Sequence, residues 1–499
     1  MNTYKYVIIG GGIAGGRACE GIRKVDGEGS VALVTQEPHR PYERPPLSKK
    51  YLRDEVSLER VYLQEAAYYE EHDVDLIQGV AAVALDIDER MIELKDGRVL
   101  EYERLLLATG GQALRLPLPG SDLENVFTLR TIEDSERIRR VASGGKQALV
   151  MGGSFIGAEV TASLIQMGLQ VTEIFPESRL LELIVPPEVS EHLNALYEKR
   201  GARVLPGVVA DGLEGNRQVE RATLNNGETL DVDLVVMGVG IELNTTLARE
   251  AGLDVREEDG AILVDEMLRT NDPHVYAAGD IAAWPDATFD ERLRVEHWDV
   301  ARRQGLRAGR NMAGEEKPYT ALPYFFSDLF DLSFEVWGNL SSWDRTVLRG
   351  SLEKGSFAYY YFDQALLTGV LAVGRPDAER NPMQSLVEAR PPYGDVADDL
   401  WEEDVDLAEL AGQEPGHGTA EGEMTELSFA DDIRPLFRKK DVDEMKGISG
   451  FDLSDYEDVR GRAQGIYARL SDGSMPCDGT WPEEWIARFK QWMDQGMKP

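Results

Sequence analysis

Tyr6-Val7-Ile8-Ile9-Gly10-Gly11-Gly12-Ile13-Ala14-Gly15 and, about one domain later, Ala148-Leu149-Val150-Met151-Gly152-Gly153-Ser154-Phe155-Ile156-Gly157 decide the fold. Each is a glycine-rich turn between an apolar strand and a helix. In the first, Gly10 permits the tight turn, Gly12 lets the backbone approach a pyrophosphate, and Gly15 lets helix and strand pack. The helix opening at Ile13 and Ala14 directs its first N–H groups at phosphates. Glu37, just past the strand Val31-Ala32-Leu33-Val34, is placed to accept from a ribose hydroxyl. The second turn departs from the fingerprint, because Ser154 stands at the middle glycine position. A later Tyr276-Ala277-Ala278-Gly279-Asp280 completes the set. Two turns in this order, with that third string, predict two dinucleotides held face to face.

The 499 residues leave room for three or four domains. The net charge of -37 argues against nucleic acid, because phosphate binding needs clustered Lys and Arg. It would also repel an acidic redox carrier at long range, unless a local basic patch overrode the field. Two cysteines, Cys19 and Cys477, cannot build a disulfide framework, and a reducing compartment follows. The first strand begins at Tyr4, and no apolar stretch is long enough to span a membrane. The expectation is a cytoplasmic protein with no membrane span.

The segment Pro41-Tyr42-Glu43-Arg44-Pro45-Pro46-Leu47-Ser48-Lys49 is the most specific string in the chain. It resembles the ferredoxin reductase and apoptosis-inducing factor branch of the FAD-dependent pyridine nucleotide-disulfide reductase superfamily, over about residues 4–375. The resemblance implies an α/β chain with two Rossmann-like domains, the NAD domain inserted in the FAD domain. The FAD-binding domain would span 1–112 and 241–317, and the NAD(P)H-binding domain 113–240. An α+β reductase C-terminal domain would follow over 318–390.

The resemblance also implies site residues. Lys49 would lie beside the flavin ring, paired with Glu159 on the helix after the second turn; these two are the catalytic candidates. Arg44, Pro45, Ala108, Thr109, Gly110 and Arg130 would contact FAD. Gly279 and Asp280 match the motif whose carboxylate binds the flavin's sugar hydroxyls. Glu296, His297 and Trp298 match the stretch beside the flavin's pyrimidine edge, with no proton-transfer role given to His297. A helix beginning near Val300 would aim its positive end at the flavin. On the nicotinamide side stand Gly153, Phe155, Ile156, Glu159, Gly238 and Gly240, with Asn244.

Phe175 takes the usual place of the ribose-reading acid. Phe175-Pro176-Glu177 instead resembles monodehydroascorbate reductases, in which this Glu contacts the adenosine ribose. A carboxylate at Glu177 favours NADH over NADPH, because a 2′-phosphate would meet negative charge. Phe326, in Pro323-Tyr324-Phe325-Phe326-Ser327-Asp328, matches the aromatic over the flavin. Ferredoxin-reducing members typically carry Trp there and monodehydroascorbate reductases Tyr. Phe325 reads as a core residue. There is no Cys-x4-Cys pair near 41–51 and no metal site is expected, so electrons would leave the flavin directly.

From 395 to 426 there is no Lys or Arg and much Asp and Glu. This predicts an acidic linker over 391–427, with a short helix over 398–411. Residues 428–499 resemble a small all-α class I cytochrome c with its haem attachment erased. Phe429 and Ile433-Arg434-Pro435-Leu436-Phe437 match its opening. Gly473-Ser474-Met475-Pro476 and Trp492-Met493-Asp494-Gln495-Gly496 match its methionine loop and closing helix. Met445 stands where the attachment site would end. Trp481-Pro482-Glu483-Glu484 reads as a helix start.

The expected function is an FAD-dependent NADH:acceptor oxidoreductase. The acceptor would be a quinone, a small radical or a redox protein docked by the C-terminal domain. The rival is an NADH sensor resembling apoptosis-inducing factor, whose output is partner binding or homodimer formation.

Overall fold

The computed structural model describes residues 2–412, then 429, 433–437, 453, 455–460, 462–471, 481, 483–494 and 497. Residues 1–411 form one unit and 412–499 another.

The first sheet grows from strand Asn2–Ile9, which is wholly buried in its second half. It pairs in parallel with Val31–Thr35 on one side and Val99–Leu107 on the other; Val74–Gln78 and Val275–Ala277 extend the parallel set. Ile9 lies opposite both Val34 and Leu107, and Leu107 opposite Ala277. This register brings Gly10, Glu37, Ala108 and the 278–280 string to one carboxyl edge. Open α/β sheets bind ligands at that edge.

A second parallel sheet has the order Ala202–Pro206, Gln170–Phe175, Gln147–Met151, Leu234–Met237, Val126–Thr128. Met151 lies opposite both Ile174 and Met237, so Gly152 and Gly238 share an edge. The chain leaves the first sheet's domain through Gly111–Ala113 and returns through Ile241–Leu243, and these crossings pair with each other.

The third part is a five-stranded antiparallel sheet in the order Tyr324–Leu329, Leu332–Gly338, Leu366–Val373, Ser356–Asp363, Arg345–Ser351. Here the expected linker is corrected. Residues 391–411 are folded: helices Tyr393–Trp401 and Leu407–Leu410 bury Val396, Leu400 and Leu407 in the core. Arg349, itself buried, donates to the carbonyls of Glu402, Glu403 and Val405. The run of acids faces water, while the few apolar residues between them dock. The rest of the expected linker lies outside the described residues.

The described part of 412–499 is helical: Tyr456–Arg460, Ala463–Ser471 and Glu483–Asp494. Its own core gathers Phe429, Ile433, Phe437, Trp481, Phe489 and Trp492. Met445, Met475 and Cys477 lie outside the described residues.

Helix Ile13–Arg23, behind the first turn, packs on helix Trp298–Met312 through glycines. A Cβ on Gly305 would lie 2.1 Å from the Ala14 carbonyl oxygen, and one on Gly309 2.2 Å from that of Ala18. No side chain fits between these backbones. Gly305→Val is therefore expected to destabilise the domain by about 1–3 kcal/mol or more, read as a lower midpoint in thermal unfolding.

Candidate functional site

The two glycine turns are built alike. Gly10 has φ +127°, and a Cβ there would lie 2.0 Å from the Ala108 carbonyl oxygen; Gly152 has φ +128° and meets Gly238 at 2.3 Å. A Cβ on Gly15 would meet the Gly10 oxygen at 1.9 Å, and one on Gly157 the Gly152 oxygen at 1.9 Å. Only glycine serves at these four places. The middle position differs. Gly12 (φ -82°, ψ -173°) and Ser154 (φ -103°, ψ -173°) share an extended backbone, so the serine costs no strain. Each caps its helix without a side-chain hydrogen bond, leaving the first N–H groups to an anion. A Cβ on Gly12 would meet nothing within 4 Å, so that face is open.

Both turns open on one cavity of about 820 Å³. Every expected site residue lines it except Gly15, Gly153 and Glu177. Gly15 is the packing glycine just described. At Gly153 a Cβ would strike the buried Phe175 ring at 2.5 Å, so the glycine makes room for that ring. Phe175 itself is core. Glu177 lies half-buried beyond the strand end, outside the cavity lining.

At the centre, Lys49 Nζ sits 2.6 Å from Glu159 Oε1, both largely buried. Two serines complete the carboxylate. Ser48 Oγ donates to Oε2 at 2.5 Å, and Ser327 Oγ donates to Oε1 at 2.6 Å. Ser163 Oγ, one helical turn after Glu159, donates to the Ser48 carbonyl at 2.6 Å. Breaking a buried ion pair by removing one partner costs about 3–5 kcal/mol, because the other charge is left unpaired.

Around the rim, Asp280 pairs with Arg130 at 2.7 Å, and Arg130 reaches the Gly111 carbonyl at 3.1 Å. Glu37 holds Arg44 at 2.8 Å and accepts from Tyr42, while Arg44 donates to the Arg130 carbonyl. Burial pushes the Tyr42 hydroxyl well above its ordinary range, so it stays a donor. Thr109 and Asn244 exchange hydrogen bonds at 2.6 and 3.1 Å, tying the second domain's return to the first.

Strand Tyr324–Leu329 crosses this site and alternates its contacts. Phe325 meets the Phe155 ring edge-on at 5.6 Å and Ser327 reaches Glu159. Phe326 meets Trp298 edge-on at 5.9 Å and Tyr324 at 6.3 Å. Phe325 is thus the partly buried packing residue expected of it.

Sequence reading missed Ser48, Ser327 and Glu173. Ser48 lies inside the most specific string, yet nothing in the string assigns its hydroxyl a partner. Glu173 was visible as a charge in the apolar run Val171-Thr172-Glu173-Ile174-Phe175. It is fully buried, neither carboxyl oxygen has a hydrogen-bond partner, and Oε1 lies 3.4 Å from where a Gly157 Cβ would be. Burial raises its pKa to about 8. A neutral acid therefore underlies the second turn.

The family follows from comparison. Residues 4–305 match the pyridine nucleotide-disulphide oxidoreductase family, and 324–411 match the reductase C-terminal domain. The chain belongs to this oxidoreductase family. It is 32% identical over 410 residues to putidaredoxin reductase of Pseudomonas putida, covering 81% of this chain and 96% of that protein. It is 34% identical over 439 residues to monodehydroascorbate reductase 3 of Arabidopsis thaliana, covering 81% and 97%. A crystal structure of the covalent putidaredoxin reductase-putidaredoxin complex superposes with a TM-score of 0.77 at 32% identity, covering 82% of this chain and 98% of that one. The family uses FAD and a pyridine nucleotide. The matched domains end at residue 411. No helix among the described residues is long and apolar enough to cross a membrane.

Glu173 generates a pH test. The unfolded chain ionises it near 4.5, whereas the folded chain keeps the proton to about 8. In between, the unfolded state binds fewer protons, so stability falls as pH rises through that window and levels above it. Glu173→Gln removes this slope. In urea denaturation the variant is expected to gain on the wild type from pH 5 to pH 8; a difference that does not change with pH contradicts the assignment.

Proposed function

We propose that the chain oxidises NADH and passes the electrons one at a time to an acidic redox protein. The observation that carries this is the Lys49–Glu159 pair, buried where the two nucleotide turns open on one cavity. The residues fit FAD on the first turn: Gly12 presents open space, and the helix N-terminus lacks a side-chain cap. Bound there, FAD supplies the two-electron to one-electron exchange between nicotinamide and acceptor.

The chain's own residues do the rest. The N-terminus of helix Ile13–Arg23 holds the pyrophosphate, Glu37 the adenosine ribose, and Asp280, steadied by Arg130, the sugar alcohol. Glu159 fixes Lys49 in the cavity, where its positive charge would favour the negative charge that a bound flavin takes on when reduced. The uncapped helix at Ser154 takes the NADH pyrophosphate. Glu177, placed beyond Phe175, opposes a 2′-phosphate and selects NADH over NADPH. Cys19 has no part, because burial pushes its thiol up to about 12.

A local basic stripe supports an acidic partner. Arg302 and Arg303 share one carboxylate, Asp299, and Arg307, Arg310 and Lys317 share another, Glu315. Five cations on two acids stand out on a chain of net charge -37. The stripe starts at the cavity, where Arg302 stacks 5.3 Å from the Trp298 ring. Steering by such a patch raises the encounter rate and is screened by salt. The similarity to putidaredoxin reductase, a redox protein's reductase, favours the same reading.

Lys49→Met is expected to retain FAD and to slow its anaerobic reduction by NADH about a hundredfold or more; an unchanged rate in stopped flow contradicts the proposal. The double variant Arg303→Glu, Arg307→Glu is expected to raise KM for an acidic ferredoxin several-fold at low salt. Ferricyanide reduction, which needs no docking, should stay at the wild-type rate in the same assay.

A further inference from the structure

We propose that His297 is a positioning residue: as a neutral imidazole carrying its proton on Nε2, it seats Phe326 against the entrance of helix Trp298–Met312. Strand Tyr324–Leu329 is the edge of its sheet, so Phe326's outward backbone groups have no strand to pair with. His297 Nε2 meets both of them, the carbonyl oxygen at 3.2 Å and the N–H at 3.3 Å. On its other side the ring caps the helix, with Nδ1 accepting from the Asp299 N–H at 3.3 Å.

The hydrogen-bond network selects one proton arrangement. With the proton on Nε2, Nδ1 accepts from Asp299 and Nε2 donates to the Phe326 carbonyl, so two bonds form and only the Phe326 N–H is left without a partner on the ring. With it on Nδ1, the Asp299 N–H faces another N–H, and only the Phe326 N–H is satisfied. The imidazolium has the same clash at Nδ1 and also faces the Phe326 N–H. The charged neighbours are Asp299 on its own helix, Glu159 on helix Phe155–Gln166, and Lys49; the two acids favour the cation and Lys49 opposes it. Burial dominates and holds the imidazole below the ordinary histidine range. The ring is wedged between Phe325 at 5.4 Å and Phe326 at 5.5 Å, so it sets the placement of both aromatics that flank the cavity.

The functional consequence rests on the proposed function. Phe326 and Trp298 form the side of the cavity next to the basic stripe, so a lost seat affects delivery to the acceptor more than reduction by NADH. Protonation drives Nδ1–H against the Asp299 N–H and displaces the ring, which gives the acceptor half-reaction an acid limb.

His297→Asn isolates the seat, because asparagine caps a helix well but is too short to reach Phe326. In the FAD-bound full chain, the variant is expected to slow reoxidation by the redox partner about tenfold, the size set by one buried hydrogen bond, and by a larger factor than it slows reduction by NADH. The wild type's acid limb in reoxidation disappears in the variant. Nitrogen-15 NMR of histidine-labelled holoprotein supplies a readout independent of turnover. The resonance missing from His297→Asn should show the neutral Nε2–H pattern at pH 7. A cationic or Nδ1–H pattern overturns the proposal, and so does a variant with wild-type reoxidation across pH. If NADH fails to reduce the wild type at all, the proposed function falls, while the NMR pattern still judges the tautomer.

Discussion

One carboxylate organises the site. Glu159 comes from the helix after the second glycine turn, Lys49 and Ser48 from the first domain, and Ser327 from the edge strand of the third. A buried carboxylate needs its oxygens partnered, because an unpaired one costs several kcal/mol. Since the partners come from three parts of the chain, the charge is satisfied only when all three dock. The chemistry of the cavity and the assembly of residues 1–411 therefore depend on the same four side chains.

The edge strand Tyr324–Leu329 turns that junction into a divided site. Its odd-numbered residues, Phe325 and Ser327, face the second-turn helix, and Phe326 faces Trp298 and the basic stripe. Period-two alternation alone does this; no loop rearrangement is required. Electrons entering on the nicotinamide side and leaving past Phe326 would cross one strand. In the proposed function the exit side is the one that carries Arg302, Arg303, Arg307, Arg310 and Lys317, which would let a strongly acidic protein receive an acidic partner.

Much of this was legible in the chain. Gly10, Gly15, Gly152 and Gly157 could be read because each is forced by a close backbone approach, which a sequence satisfies with glycine. Lys49 and Glu159 could be paired because each lies in a recognisable string. Ser327 could not, since nothing near it in sequence says that its hydroxyl will meet residue 159. That Gly153 makes room for the Phe175 ring on the adjacent strand could not be read either, because the two meet only through the sheet. The acidic run from 391 read as linker because charge dominates its composition, yet three buried apolar residues and the demand of Arg349 for carbonyl partners fold its first half. Glu173 showed as an anomaly in an apolar strand, but only its burial reveals a neutral acid.

The central claim is that two nucleotides meet across the Lys49–Glu159 junction. Anaerobic stopped-flow absorbance of the FAD-bound protein mixed with NADH tests it most directly. The account predicts rapid bleaching of the flavin's visible band with a long-wavelength charge-transfer band from the stacked nicotinamide, faster with NADH than with NADPH. Flavin that stays oxidised in excess NADH, with no such band, would contradict it.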